Sequence, residues 1–122
     1  MAVTNVSIEV VSGAKLFNDT DCAGVVVAVK ASSGTLYMLD LDNTANAAVT
    51  YVKIWNTASG GVTIGTTAPD IIILVPASTR ITVVIPGGVA LGTAITVAAV
   101  TTAGTAGSTG PTSDVIVRAV YA

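Results

Sequence analysis

The stretch Pro69 to Gly88, PDIIILVPASTRITVVIPGG, constrains this chain more than any other. It holds two β-branched runs joined by Pro-Ala-Ser-Thr and predicts the central hairpin of an all-β domain. Ile71 to Val75 is apolar at every position, the pattern of a strand covered on both faces, whereas Arg80, Thr82 and Val84 alternate with Ile81, Val83 and Ile85. Pro76 and Pro86 close the two runs, because proline donates nothing to a ladder, and Pro86-Gly87-Gly88 makes a tight corner.

The rest of the chain extends this pattern. Near the start, Val6, Ile8 and Val10 alternate with Asn5, Ser7 and Glu9. That is a half-buried strand, or an arm within residues 1–12 that pairs with a neighbour. Ser12-Gly13-Ala14 ends it, and Asn18-Asp19-Thr20-Asp21 reads as a polar turn. Val25 to Lys30 and Thr35 to Asp42 are the next candidate strands. In the second, Tyr37, Leu39 and Leu41 share a face opposite Leu36, Met38, Asp40 and Asp42.

Tyr51 to Trp55 sets Val52 and Ile54 on one face and Tyr51, Lys53 and Trp55 on the other. The mixed face suits an interface, and equally suits a cover over the sandwich edge. Asn56 to Pro69 is a loop region with room for a short strand at Val62 to Ile64. Ile95 to Thr101 is a strand, Thr102 to Ser113 a flexible exposed loop without bulky side chains, and Val115 to Tyr121 the last strand. Residues 1–122 thus form a single all-β domain, an antiparallel β-sandwich that is jelly-roll-like, with roughly seven to nine strands.

The composition narrows function by exclusion. Lys15, Lys30, Lys53, Arg80 and Arg118 are scattered and the net charge is −2, so no basic face exists for nucleic acid. No apolar run approaches the ~20 residues of a membrane helix, and no signal peptide is seen, so folding in a cytoplasm is expected. With no histidine, Ser-His-Asp and Cys-His catalysis are excluded, as are the common zinc sites.

The pairs Asp19/Asp21 and Asp40/Asp42 each place two carboxylates on one side of a strand. They could hold calcium with Asn18 or Asn43, or simply cap turns. The lone Cys22 reads as a small buried side chain rather than a reactive thiol. Trp55 and Tyr51 with the aspartates could also form a sugar platform, but no cleft for glycosidic or other catalysis can be assembled. No catalytic residue, metal or cofactor is therefore expected.

Apolar residues are 52% of the chain and charged residues 10%, so a surface of about 6,000 Å² carries roughly one charge per 500 Å². Apolar patches of interface size follow.

The segments LDLDNTANAAVTYVKIWN, GTTAPDIIILVPASTR, IPGGVALGTAITVAAVTT and the terminal VRAVYA resemble a family of small tailed-phage and prophage virion proteins, over roughly Leu39 to Ala122. The resemblance implies a non-enzymatic structural protein of the virion, assembled in the host cytoplasm. Within that group, capsid decoration (cement) proteins are the nearest likeness, commonly trimers seated over junctions of the major capsid protein. Tail and baseplate subunits are the alternative. On this reading the partners are further copies of the chain and the major capsid protein or another virion protein. Tyr51, Lys53 and Trp55 would form the oligomer face, and Val6, Ile8 and Val10 would lie on an arm that adds a strand to a neighbour.

Overall fold

The computed structural model describes residues 13–122, so the expected arm with Val6, Ile8 and Val10 lies outside the described residues. The strands are β1 (Lys15–Cys22), β2 (Val27–Lys30), β3 (Gly34–Asp42), β4 (Thr50–Trp55), β5 (Ile71–Val75), β6 (Arg80–Leu91), β7 (Ile95–Val100) and β8 (Val115–Tyr121). They form two four-stranded antiparallel sheets, sheet A in the order β1-β8-β3-β6 and sheet B in the order β2-β7-β4-β5. Only β4 and β5 are consecutive in sequence and paired; every other connection crosses between sheets. This is the strand order of a jelly roll.

The expected central hairpin is therefore not a hairpin. β5 pairs with β4 and β6 pairs with β3, and residues 76–79 carry the chain from one sheet to the other. Both runs have an apolar side to bury, and facing each other across the core buries more of it than lying side by side. Ser78 takes φ 53 at the crossing, and its N–H donates to Asn46 O at 2.8 Å. Nor is β5 covered on both faces: it is an edge strand, with Ile72 43% and Leu74 50% exposed.

The core lies between the sheets. Leu36, Leu39, Leu41, Val115, Val117 and Ala119 come from sheet A and meet Val29, Val52, Ile54, Ile95, Val97 and Ala99 of sheet B. Each large aliphatic side chain buried this way contributes about 1.5–3 kcal/mol before entropy is counted.

Two bulges change which residues face that core. Leu36 opposes Tyr121 and Met38 opposes Val120, so Tyr37 is an extra residue in β3. The bulge turns Leu36 inward beside Leu39 and Leu41, in place of the expected Tyr37. Pro86-Gly87-Gly88 does not end its strand but bulges within β6, where the pairing passes from Met38–Val84 to Leu36–Val89. An edge strand tolerates that proline. Gly88 has φ +75, and a Cβ there would lie 2.5 Å from Thr35 Cγ2.

Asn18 to Asp21 is strand rather than turn. Asn18 and Asp19 pair with Arg118 and Val117 of β8 before the register shifts, and Asn18 lies on the outward side, where an edge strand has no need of apolar residues. The short strand expected at Val62 to Ile64 is absent; that segment follows a single 3₁₀ turn at Ser59–Gly61.

Candidate functional site

The β4 face that combines Tyr51, Lys53 and Trp55 is not open. It points away from the core, but loops 56–69 and 101–113 lie over it. Trp55 is 1% exposed and packs with Val62 and Ala98, flanked by Val26 and Ile64, in a second apolar cluster outside the sandwich. Its Nε1 donates to Thr67 O at 3.0 Å. Thr67 in turn braces its own loop, accepting from Thr63 N through its hydroxyl at 3.0 Å. Asn56 Oδ1 accepts from Thr93 N at 2.8 Å, which ties the loop to the start of β7.

Lys53 is fully buried, and its Nζ donates to Gly104 O at 2.6 Å and Gly107 O at 3.0 Å. The ammonium thus clasps the loop expected to be flexible, while most side chains of that loop are exposed. Burial pushes the Lys53 pKa below its ordinary value. Tyr51 alone of the three remains half-buried, directly opposite Leu74 on β5. Cover over the sheet is thus what Lys53 and Trp55 provide, and an interface or sugar platform that needs them exposed is corrected. Their sequence pattern could not reveal the loops that fold down on them.

At the other end of the loop, buried amides form a hub. Asn43 Oδ1 accepts from Asn46 Nδ2 at 2.8 Å and from Thr50 Oγ1 at 2.9 Å, while Asn46 Oδ1 accepts from Ser113 N at 2.8 Å. Beside the hub a cavity of about 330 Å³ opens among Ala45, Ala47, Ala48, Thr101, Pro111 and Thr112. Its lining has no charged or aromatic side chain; its polar groups are the Asn46 amide and the hydroxyls of Thr50, Thr101, Thr112 and Ser113.

The carboxylates are engaged in local contacts. Asp40 accepts from Arg80 Nε at 2.9 Å and also from Arg80 Nη2, and lies 3.7 Å from Arg118 Nη1. The Arg80 hydrogen bonds hold its carboxyl below the usual range. Asp42 accepts from Thr44 N at 3.0 Å and from the Thr44 hydroxyl, which lowers its pKa as well. Asp19 Oδ1 accepts from Asp21 N at 3.0 Å, whereas Asp19 Oδ2 is buried and has no partner among the described residues. Burial pushes the Asp19 pKa up, assisted by Asp21 and Asp114. Among the described residues no group of three or more metal-ligating side chains converges. Cys22 is buried, and desolvation pushes its thiol up to about 12, which leaves no thiolate at neutral pH.

Among the described residues, by contrast, no loop covers the outer face of sheet A. Leu16, Val120, Met38 and Val84 stand directly opposite one another across β1, β8, β3 and β6. Their row spans about 15 Å at the usual strand spacing. Leu16 is 67% and Val84 65% exposed, and the middle pair is half-buried. The neighbouring row runs Asn18, Arg118, Asp40 and Thr82, with Arg80 reaching over from β6. An apolar bar thus lies beside an Arg-Asp-Arg cluster on the outer face of the sheet.

Sequence reading missed this row because it depends on the register of four strands. Its one local signal is the outward apolar residue in each: Leu16, Met38, Val84 and Val120. No protein family, characterised protein or solved structure was found to match this chain.

Proposed function

We propose that this protein is a non-enzymatic structural subunit of a virion, a capsid decoration protein that oligomerises and stabilises the shell of the major capsid protein. The observation that carries this reading is the row Leu16–Val120–Met38–Val84 across the outer face of sheet A. Large apolar side chains are there presented to solvent by rigid strands, while the polar side chains of sheet B hold the protein's own loops. A subunit that docks on a repeating lattice has use for the first and gains affinity by multivalency. The sequence resemblance to small virion proteins and the jelly-roll strand order both support the same role.

In this reading sheet A faces the shell, and the subunits associate, as a trimer over a capsid junction, by contacts other than Lys53 and Trp55. The test is retention on undecorated shells assembled from the accompanying major capsid protein, measured by co-sedimentation. Leu16→Lys with Val84→Lys alters only exposed positions and is expected to abolish retention at unchanged melting temperature. Removal of Ala2 to Val11 is expected to abolish it as well. Full retention by the sheet A variant refutes the docking face.

A further inference from the structure

Exposed sheet edges are templates for pairing, and folded proteins blunt them with charges, prolines, bulges or brevity. Three of the four edges here are blunted. β1 carries Lys15, Asp19 and Asp21 and shifts register before Cys22. β2 has four residues, a register shift and Lys30. β6 carries Arg80, Pro86 and the double-glycine bulge. β5, at five residues, carries no charge, proline or bulge: Ile71–Val75 is regular and apolar, and among the described residues it pairs with β4 alone. Along it Ile72 and Leu74 form an exposed strip continued by Tyr51.

We propose that the β5 edge accepts the N-terminal segment Val6 to Val10 of a neighbouring copy of this chain, as a fifth strand of sheet B. Residues 1–12 lie outside the described residues, and their alternation suits an added strand: Val6, Ile8 and Val10 would continue the strip of Tyr51, Leu74 and Ile72, with Ser7 and Glu9 on the opposite side.

Geometry makes the donor another subunit. β1 and β2 are joined by four residues, as are β5 and β6, so β1 lies against the β2 edge and β5 against the far, β6 edge. From the start of β1 to a position outside β5 is about 20 Å, counting strand spacings and the gap between sheets. The five links from Lys15, where β1 starts, to Val10 reach at most about 18 Å. The segment therefore cannot lie along its own β5 but is free to lie along a neighbour's. Such a head-to-tail contact closes into a ring when its rotation permits. The inference rests on the assembly role proposed above and names how its oligomer is built.

Hydrogen exchange on the full chain, below and above the concentration of self-association, tests this. The amides of Ile71–Val75 are expected to slow by about tenfold or more on association, as mass by light scattering rises. Val6→Ser with Ile8→Ser and Val10→Ser should abolish both changes, and so should Leu74→Lys, a half-exposed position that leaves the fold intact. Val84→Lys on sheet A should leave both in place. A peptide of residues 1–12 added to the triple serine variant should restore β5 protection. Equal β5 exchange in wild type and the triple variant overturns the inference, as does a wild type that stays monomeric at every concentration. Arm exchange without retention on shells supports the inference and removes the shell role, and shell retention with unprotected β5 amides does the reverse.

Discussion

Replacing Lys53 by methionine isolates the contribution of a buried cation to loop closure. The substitution preserves most of the aliphatic stem and removes the ammonium that donates to Gly104 O and Gly107 O at 2.6 and 3.0 Å. Gly104 is exposed, and its carbonyl still accepts from Gly107 N at 3.0 Å, so its share of the loss is small. Gly107 is buried, and leaving its carbonyl without a donor costs about 1–3 kcal/mol. Against that stands relief from burying a charge, the same desolvation that lowers the Lys53 pKa. The hydrogen bonds outweigh it, and the net expectation is a loss of about 1–2 kcal/mol, or about 4–8 °C in melting temperature.

The loss should be concentrated in the loop, with amide exchange accelerated around Thr101 and Gly107 before the sandwich opens. The pH dependence has a defined sign. A lysine whose pKa is lower folded than unfolded binds fewer protons in the native state between those two values. Wild-type stability therefore rises with pH through that interval, and the gap to Lys53→Met widens toward alkaline pH. A variant as stable as wild type, with unchanged loop exchange, would refute the clasp.

Three further outcomes follow from the geometry. Trp55→Ala empties the cluster with Val62 and Ala98 and should lower stability by about 3–5 kcal/mol in chemical denaturation, rather than change subunit mass alone. Gly88→Ala meets both φ +75 and Thr35 Cγ2, and should cost about 2 kcal/mol or more by the same measurement. Asp19→Asn should stabilise the protein at pH 7. Its raised carboxyl pKa makes wild-type stability fall as pH rises through the folded value, so the advantage of the variant should vanish in acid. Equal pH profiles of wild type and variant would show that the buried Oδ2 carries no charge penalty.

The strand class and most strand positions were legible because period-two alternation is local. Val115 to Tyr121 and Arg80 to Ile85 send to the core the residues that alternation assigns there. What could not be read depends on partners distant in sequence. Pairing decides that β5 and β6 belong to different sheets, and one inserted residue at Tyr37 decides which leucines of β3 are buried. The polar Asn18 to Asp21 becomes strand because β8 supplies a ladder. For the same reason the β4 face looked open: the loops that cover Lys53 and Trp55 begin 1 and 46 positions after Trp55, at Asn56 and Thr101. The sheet A row is assembled from four strands whose register no single segment encodes.

The loops folded onto sheet B make the two sheets unequal in how far their sequences can drift. All six residues of β7 and five of the six in β4 are buried, so nearly every substitution there meets a packed neighbour on one side or the other. On sheet A the outward positions 16, 18, 38, 40, 80, 82, 84, 116, 118 and 120 are all at least partly exposed. A library randomised on the outer face of sheet A should retain folded members in abundance, and one randomised on the outer faces of β4 and β7 very few. In the proposed role the docking face is thus also the one free to diversify, and a lineage of such proteins would change what it binds without disturbing how it folds.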